Sequence, residues 1–594
     1  MVGARASRPH NSVLIMYKKL FLIVAIAAAC LQAKAQSTAR DYKGSSNNNP
    51  ISACVFCADP TALVYDGRMY VYGTNDHQQF IKNGKKNGNG YGDIKSLVVF
   101  STDDMVNWTF HGTIDVGKLC SSWGWRFAAS WAPSVTWRVK EDGTEEFFLY
   151  FSNSGGSVGV LKANSPIGPW TSPLSKPLIE GSTPGVSPCH WVFDPGVVID
   201  ENGTGWITFG GGDPQSNGTD LQPNNACIAK LKPSMTAIDG AAVKIPAPYQ
   251  LEASELNIFN NKFVYTYCSS WADRRDADWN AYKAEQGINL PKPDKCTMCY
   301  MVSDDPMNPN SWMYKGVYGP HPGMPSPNNH SHLEKFQGTY YYFYHWGPLM
   351  KNMKDANVID SSCDGYRSIC VNKAVVNEGV PSINPVTMNL TGVTEIRNMT
   401  PYDMQEAETM ATCGGISYEN FSNISKNTSI STLGNDASRN LQVQMSAGSW
   451  IMQRHLDFGT TGAEKFILRA KGTGTLEIRL GRIGAKAAAT IDFASTAMDD
   501  QTIEIDVAKF QGTKNVFFVV TSADNFYVDA WQFKQAKDNG IRGIETNEST
   551  KRQSYDVSGR SVSDTRQHRG IIIEQYTDAN GVKRSRKTLS AKEQ

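Results

Sequence analysis

The chain has 594 residues, of which 40% are hydrophobic and 19% charged, and its mean hydropathy is −0.39. This is the composition of a globular protein of three or four units, and a net charge of +1 argues against nucleic acid or an anionic membrane as the main partner. The 51 Gly, 14 Trp and 24 Tyr favour β architecture rich in turns.

From Met16 the chain reads MYKKLFLIVAIAAACLQAKAQ: two lysines, an apolar run from Leu20 to Cys30, then Ala33-Lys34-Ala35. Residues 1–35 are therefore expected to be an export signal cleaved after Ala35, with 1–15 an over-extended start. The apolar run is too short to span a bilayer. A lipid-attachment signal ending at Cys30 is the alternative, although Ala27 stands where Leu is usual. The protein is accordingly expected to be secreted, periplasmic or displayed on a bacterial cell surface. After cleavage eleven cysteines remain, so at least one thiol is free if the others pair. Cys54-x-x-Cys57 and Cys296-x-x-Cys299 have zinc-site spacing, but both lie in strand-like sequence and the structural reading is preferred.

After a linker at 36–49, five segments share a run of aromatic and β-branched residues following a turn. They begin at Gly67, Glu145, Gly203, Asn260 and Gly338 (GRMYVYGTN, EEFFLYFSNS, GTGWITFGGG, NNKFVYTYCSS, GTYYYFYHWG). A second strand pair of looser signature follows each one. Five four-stranded units predict a five-bladed β-propeller over residues 50–397. Only DADWNAYKAEQG, at 276–287, reads as a helix.

Just ahead of these strands stand Asp59, Trp131, Asp194, Glu252 and His330, each on the expected innermost strand of a blade. Inner strands line one axis, so the three acids, the Trp and the His converge in space. An Asp-Pro pair by itself commonly starts a turn, as Asp213-Pro214 and Asp305-Pro306 illustrate; the shared phase with the repeat sets Asp59 and Asp194 apart. By residue type alone Glu255 competes with Glu252. Trp131 offers an apolar face to a sugar, or else packs between blades.

The carriers ADPTALVYDGRMYVY, SWAPSVTWR, VFDPGVVIDENGTGWITFGG, LEASELNIFNNKFVYTY, NHSHLEKFQGTYYYFYH and YRSICVNKAVV together resemble glycoside hydrolase family 43. The resemblance implies Asp59 as general base, Asp194 as the acid that orients and tunes the proton donor, and Glu252 as that donor. The donor of the family motif precedes Ala or Gly, as in Leu251-Glu252-Ala253, which favours Glu252 over Glu255. It also implies that His330 sits near a central cation or water cluster and Arg367 near the sugar. Ser331 replaces the second member of a frequent His-His pair. No cofactor is implied for catalysis.

Residues 398–534 alternate like a β-sandwich of jelly-roll type and resemble carbohydrate-binding module family 6. That resemblance implies structural calcium held by Glu406, Glu408 and Asp529, and sugar contacts from Tyr418, Trp450 and Asn525. Where a second stacking aromatic is usual, the chain has Ser495-Thr-Ala-Met498. The tail, 535–594, is basic and polar; YDVSGRSV and RGIIIEQY resemble small C-terminal secretion-sorting domains, the alternative being a disordered tail.

The fold class expected is thus all-β, a propeller followed by a β-sandwich. The expected activity is inverting release of α-L-arabinofuranosyl side chains from arabinoxylan or arabinan, with plant cell-wall polysaccharide and xylo-oligosaccharides as partners. An exo-β-xylosidase or dual-activity enzyme is the rival, and a propeller lectin is the rival of a different class.

Overall fold

The computed structural model describes residues 38–212, 219–323, 328–423 and 441–537, together with the backbone of three strands beyond residue 552. The expected export signal lies outside the described residues.

Five blades follow one another along the chain. Blade one is Ala58–Tyr65, Arg68–Thr74, Leu97–Thr102 and Trp108–Ile114. Blade two opens with Trp131–Val139 and Glu145–Asn153, blade three with Gly196–Ile199 and Gly205–Phe209, and blade four with Gln250–Phe259 and Lys262–Ser269. Blade five has three named strands, Ser331–Phe336, Thr339–Trp346 and Ser368–Ala374. The segment entering blade one runs beside that last strand, where Ile51 N–H donates to Ile369 O and Cys57 N–H to Arg367 O, both at 2.9 Å. This contact ties the two ends of the ring together.

The aromatic runs are second strands of the blades, and their alternation suits burial on both faces. Tyr150, Tyr265, Tyr267, Tyr342 and Tyr344 are fully buried between blades. Burying each such ring contributes roughly 2–3 kcal/mol before entropy is counted. The expected helix is Asp276–Gln286, stopped by Gly287 in the left-handed region at φ 62°. Two further eight-residue helices, Asp76–Asn83 and Pro348–Asp355, escaped the periodicity reading because each shows barely two turns.

Residues up to Ala536 form one compact unit and Lys537–Gln594 a second. Within the first, the β-sandwich is a single curled sheet dominated by three long strands, Ala463–Leu480, Ala487–Glu504 and Thr513–Gln535. It is fused to the propeller. Thr409–Met410 adds a fifth strand to blade one, and the hydroxyls of Thr109 and Thr409 meet at 2.8 Å. One apolar core runs through Trp108 and Phe110 of blade one into Phe421, Phe518 and Trp531 of the sandwich. The second unit contains Gln553–Asp556, Gly570–Thr577 and Lys583–Ser590 as an antiparallel three-stranded sheet.

All eleven described cysteines are free thiols, and every one except Cys189 is buried. Among the described residues no two cysteines are bridged.

Candidate active site

The chain enters the funnel through a repeated irregularity. Asp59, Ala132, Asp194 and Ala253 have φ of 49°, 37°, 49° and 64°. A non-glycine residue at positive φ is strained. In blades one, two and four the strand register slips at that point, between Ala58 and Thr61, Trp131 and Ser134, and Glu252 and Glu255. These are β-bulges, which re-aim side chains at a strand's end. The strand registers correct the expected phase, because Gly67 is the second residue of its hairpin turn and Asn260 the first of its own. Asp59 and Asp194 are equivalent to each other, but Glu252 precedes its bulged residue and so matches Trp131 and Phe193.

The bulges open onto a cavity of about 390 Å³ whose walls include Asp59, Asp194 and Glu252. Trp131, His330 and Arg367 line it as well. The sequence thus anticipated six of its residues. It missed Tyr91, Trp191, Phe193 and Asn328. Tyr91 lies in a Gly- and Asn-rich loop with no repeat to mark it, and Asn328 precedes the blade-five strand. Trp191 could have been found from its place three residues before Asp194.

Asp59 is 5% exposed and fully engaged. Arg367 Nη1 donates to its Oδ1 at 2.8 Å and Thr74 Oγ1 to its Oδ2 at 2.6 Å, while Nδ1 of His345 lies 3.1 Å from Oδ1. Burial by itself would raise the Asp59 pKa, but the Arg367 guanidinium, aided by His345 and His330, holds it well below the carboxylate range. Arg367 is in turn gripped by Asp76, with Nε on Oδ2 at 2.9 Å and Nη2 on Oδ1 at 2.8 Å. Nη1 also donates to Asn328 Oδ1 at 3.0 Å. Four of the five guanidinium donors are therefore committed to protein, so Arg367 serves the carboxylate more than any ligand.

The other two acids are driven the opposite way. Burial, then the charge of Asp59, pushes Asp194 up to about 7. Its Oδ2 accepts from Ala253 N–H at 2.8 Å, and its Oδ1 from Ser152 Oγ at 3.1 Å. Asp194 therefore pins the bulge that carries Glu252. Burial, followed by Asp194 and Asp59, pushes Glu252 up to about 8. Near neutral pH one wall holds a carboxylate and another a carboxylic acid. The arrangement can take a proton at one place and give one at another.

Glu255 does not line the cavity. It is 2% exposed, and its Oε1 stands 3.2 Å from Nδ1 of His332 on blade five. Burial disfavours the His332 charge, but Glu255 and Glu334 outweigh it and raise that imidazole to about 10. His330 lies 3.8 Å from Asp59 Oδ1, and burial lowers its pKa to about 4.

In the sandwich the structure corrects two expected sugar contacts. Tyr418 is 2% exposed, stacks on His77 of the propeller with centroids 4.7 Å apart, and its hydroxyl accepts from Asn75 Nδ2. Trp450 is 3% exposed, donates from Nε1 to Ala39 O, and packs on Phe517. Neither ring is open to a sugar; both hold the sandwich to its neighbours. Asn525 is exposed in a cleft shared with Lys471, Thr473 and Tyr527. Among the described residues no group of three or more His, Cys, Asp or Glu is gathered for a metal ion. Glu408 Oε2 and Asp529 Oδ1 are nevertheless buried without a hydrogen-bond partner.

Family models match in two places: glycosyl hydrolases family 43 at residues 47–379 and carbohydrate binding module family 6 at 406–535. An arabinoxylan arabinofuranohydrolase of Bacillus subtilis (strain 168) is 36% identical over 539 residues, covering 86% of this chain and 98% of that protein. One from Paenibacillus polymyxa is 34% identical, covering 82% of this chain and 74% of that protein. The crystal structure of a family 43 arabinoxylan arabinofuranohydrolase from Bacillus subtilis, in complex with cellotetraose, superposes with a TM-score of 0.73 at 36% identity. It covers 84% of this chain and 100% of that one.

Replacing Arg367 by Met tests the electrostatic frame. The lowered Asp59 pKa contributes stability at pH above its unfolded value near 4, and this is lost as pH falls below that value. The variant should therefore be destabilised by about 3–5 kcal/mol at pH 7, with the gap narrowing toward pH 3 in thermal melts. A gap independent of pH would mean that Arg367 acts through packing alone.

Proposed function

The chain belongs to glycosyl hydrolase family 43 and is a glycoside hydrolase carrying a family 6 carbohydrate-binding module, and from that premise we propose that it removes α-L-arabinofuranosyl side chains from arabinoxylan with inversion. The observation that carries the mechanism is that Asp59, bonded to the Arg367 guanidinium, and Glu252, buried with no cation bonded to it, line one cavity, an arrangement that favours the carboxylate at one and the carboxylic acid at the other. The 34–36% identity to arabinoxylan arabinofuranohydrolases over most of the chain supports the substrate.

In this reading Glu252 gives its proton to the glycosidic oxygen as the bond to the anomeric carbon breaks. A water attacks that carbon from the opposite face and passes a proton to Asp59. Arg367 keeps Asp59 ionised but also makes it a weak base. The transfer therefore occurs late, when the attacking water has become acidic through its bond to the cationic carbon. Asp194 holds the bulge behind Glu252, and after burial its charge, with that of Asp59, favours the protonated donor.

The configuration of the first product tests the chemistry. Proton NMR during the first turnovers should show the anomer opposite to the substrate's, with arabinose rather than xylose released from arabinoxylan. Glu252→Gln should lose activity on polymer by about 10²–10⁴-fold and far less on nitrophenyl arabinofuranoside, whose leaving oxygen barely needs a proton. Glu255→Gln should affect both substrates alike. Retention, or a leaving-group-dependent loss at Glu255, would contradict the assignment; release of xylose would favour the xylosidase reading.

We also propose that Glu406, Glu408 and Asp529 hold calcium. Burial, then Glu406 and Asp529, pushes the Glu408 carboxyl well up; burial and Glu406 raise Asp529 to about 7, with Arg469 opposing. Buried, unsatisfied and mutually repelling carboxylate oxygens fit a hard cation. With the whole chain, excess chelator should lower the melting temperature by a few degrees, since an ion bound only to the folded state contributes about 2.7 kcal/mol at a hundred times its Kd. Glu408→Gln should abolish the response, and an unchanged wild-type melt would remove the calcium. For residues 1–35 the proposal remains an export signal, on the charged and apolar pattern of the sequence.

A further inference from the structure

Trp125 is 88% exposed, by far the most exposed large hydrophobic side chain among the described residues. It belongs to the turn Ser121–Arg126, which leads into the blade-two strand whose first residue, Trp131, lines the cavity. An exposed indole on a loose loop would need no explanation. Here the residues on either side of it are tied down.

On one side Trp123 is buried, donates from Nε1 to Leu174 O at 2.8 Å and stacks on Phe151. On the other, Arg126 pairs with Glu180 at 2.9 Å, and its carbonyl accepts from Asn153 Nδ2 at 2.6 Å. Between them Gly124 sits at φ 58°, ψ −131°, a kink that turns the second indole away from the first. The Arg126 guanidinium lies 5.2 Å from the Trp125 ring centroid, within cation–π range of the indole. Asn153 directly precedes Ser154 and Gly155, which form part of the cavity wall. The turn that carries the indole is therefore tied through the Arg126 carbonyl to the residue that precedes the cavity wall, and Trp125 itself is not among the cavity-lining residues.

We propose that Trp125 is a binding platform for the main chain of the polysaccharide, stacking on the apolar face of a β-linked pyranose unit next to the one that bears the cleaved side chain. The inference rests on the function proposed above. If a single furanose fills the cavity, its carrier chain has to pass over the rim, and a pyranose with equatorial substituents presents a flat face of C–H bonds that suits an indole. A monosaccharide aryl glycoside has no such chain to place there.

The test compares wild type with Trp125→Ala and Trp125→Phe on arabinoxylan and on nitrophenyl arabinofuranoside. The alanine variant should raise KM for arabinoxylan by about three- to ten-fold with kcat little changed, and should leave kcat/KM for the aryl glycoside within about twofold. The phenylalanine variant should recover part of the loss. An unchanged KM on polymer, or equal losses on both substrates, would overturn the platform. Wild-type enzyme that cleaves the aryl glycoside but frees no arabinose from arabinoxylan would instead remove the substrate reading, and the platform with it.

Discussion

Arg367 is a cation almost wholly removed from water, and the chemistry of the funnel depends on how its charge is divided. Asp76 takes two of its donors and Asp59 a third, so a single guanidinium neutralises part of two buried carboxylates. An isolated carboxylate there would pick up a proton instead. With Asp59 held ionised, its field falls on Asp194 and Glu252, which have no cation of their own in direct contact. The acid at one wall and the base at the other are thus one coupled system. The fold supplies the coupling by bringing blade one, the helix Asp76–Asn83 and the last strand of blade five to the same place.

The backbone contributes equally. Four of the five funnel entrances are made by a residue at positive φ, and the Asp59, Asp194 and Glu252 side chains lie at or beside such points. Strain of this kind survives where the surroundings determine it. The hydrogen bond from Ala253 N–H to Asp194 lets one acid secure the bulge that displays the other. Asp194 thus helps to set the donor's conformation and, after burial, to raise its pKa.

The propeller was legible because its signal is repetition: five aromatic strands with turns between them need no knowledge of loops. The acids were legible as a set because each sits ahead of such a strand. Their phase was not: Gly67 is the second residue of the Asp66-Gly67 turn but Asn260 the first of the Asn260-Asn261 turn, so equal spacing makes Glu252 look equivalent to Asp59 although it stands one place earlier. Tyr91 and Asn328 come from loops whose course is fixed by distant contacts. Tyr418 and Trp450 show the reverse error. An aromatic in a carbohydrate-binding module invites a sugar, but whether it faces a cleft or a neighbouring blade depends on docking between units, which no local pattern records.

The mechanism requires Asp59 and Glu252 to hold opposite protonation states in the resting protein. The most direct measurement is a carbon-13 NMR titration of the side-chain carboxyls, assigned by single replacement of each residue. Glu252 should titrate near pH 8, not near its unperturbed 4.5, while the Asp59 resonance stays that of a carboxylate as far down as the fold persists. A Glu252 midpoint near 4.5, or an Asp59 midpoint near its unperturbed 3.8, would contradict it.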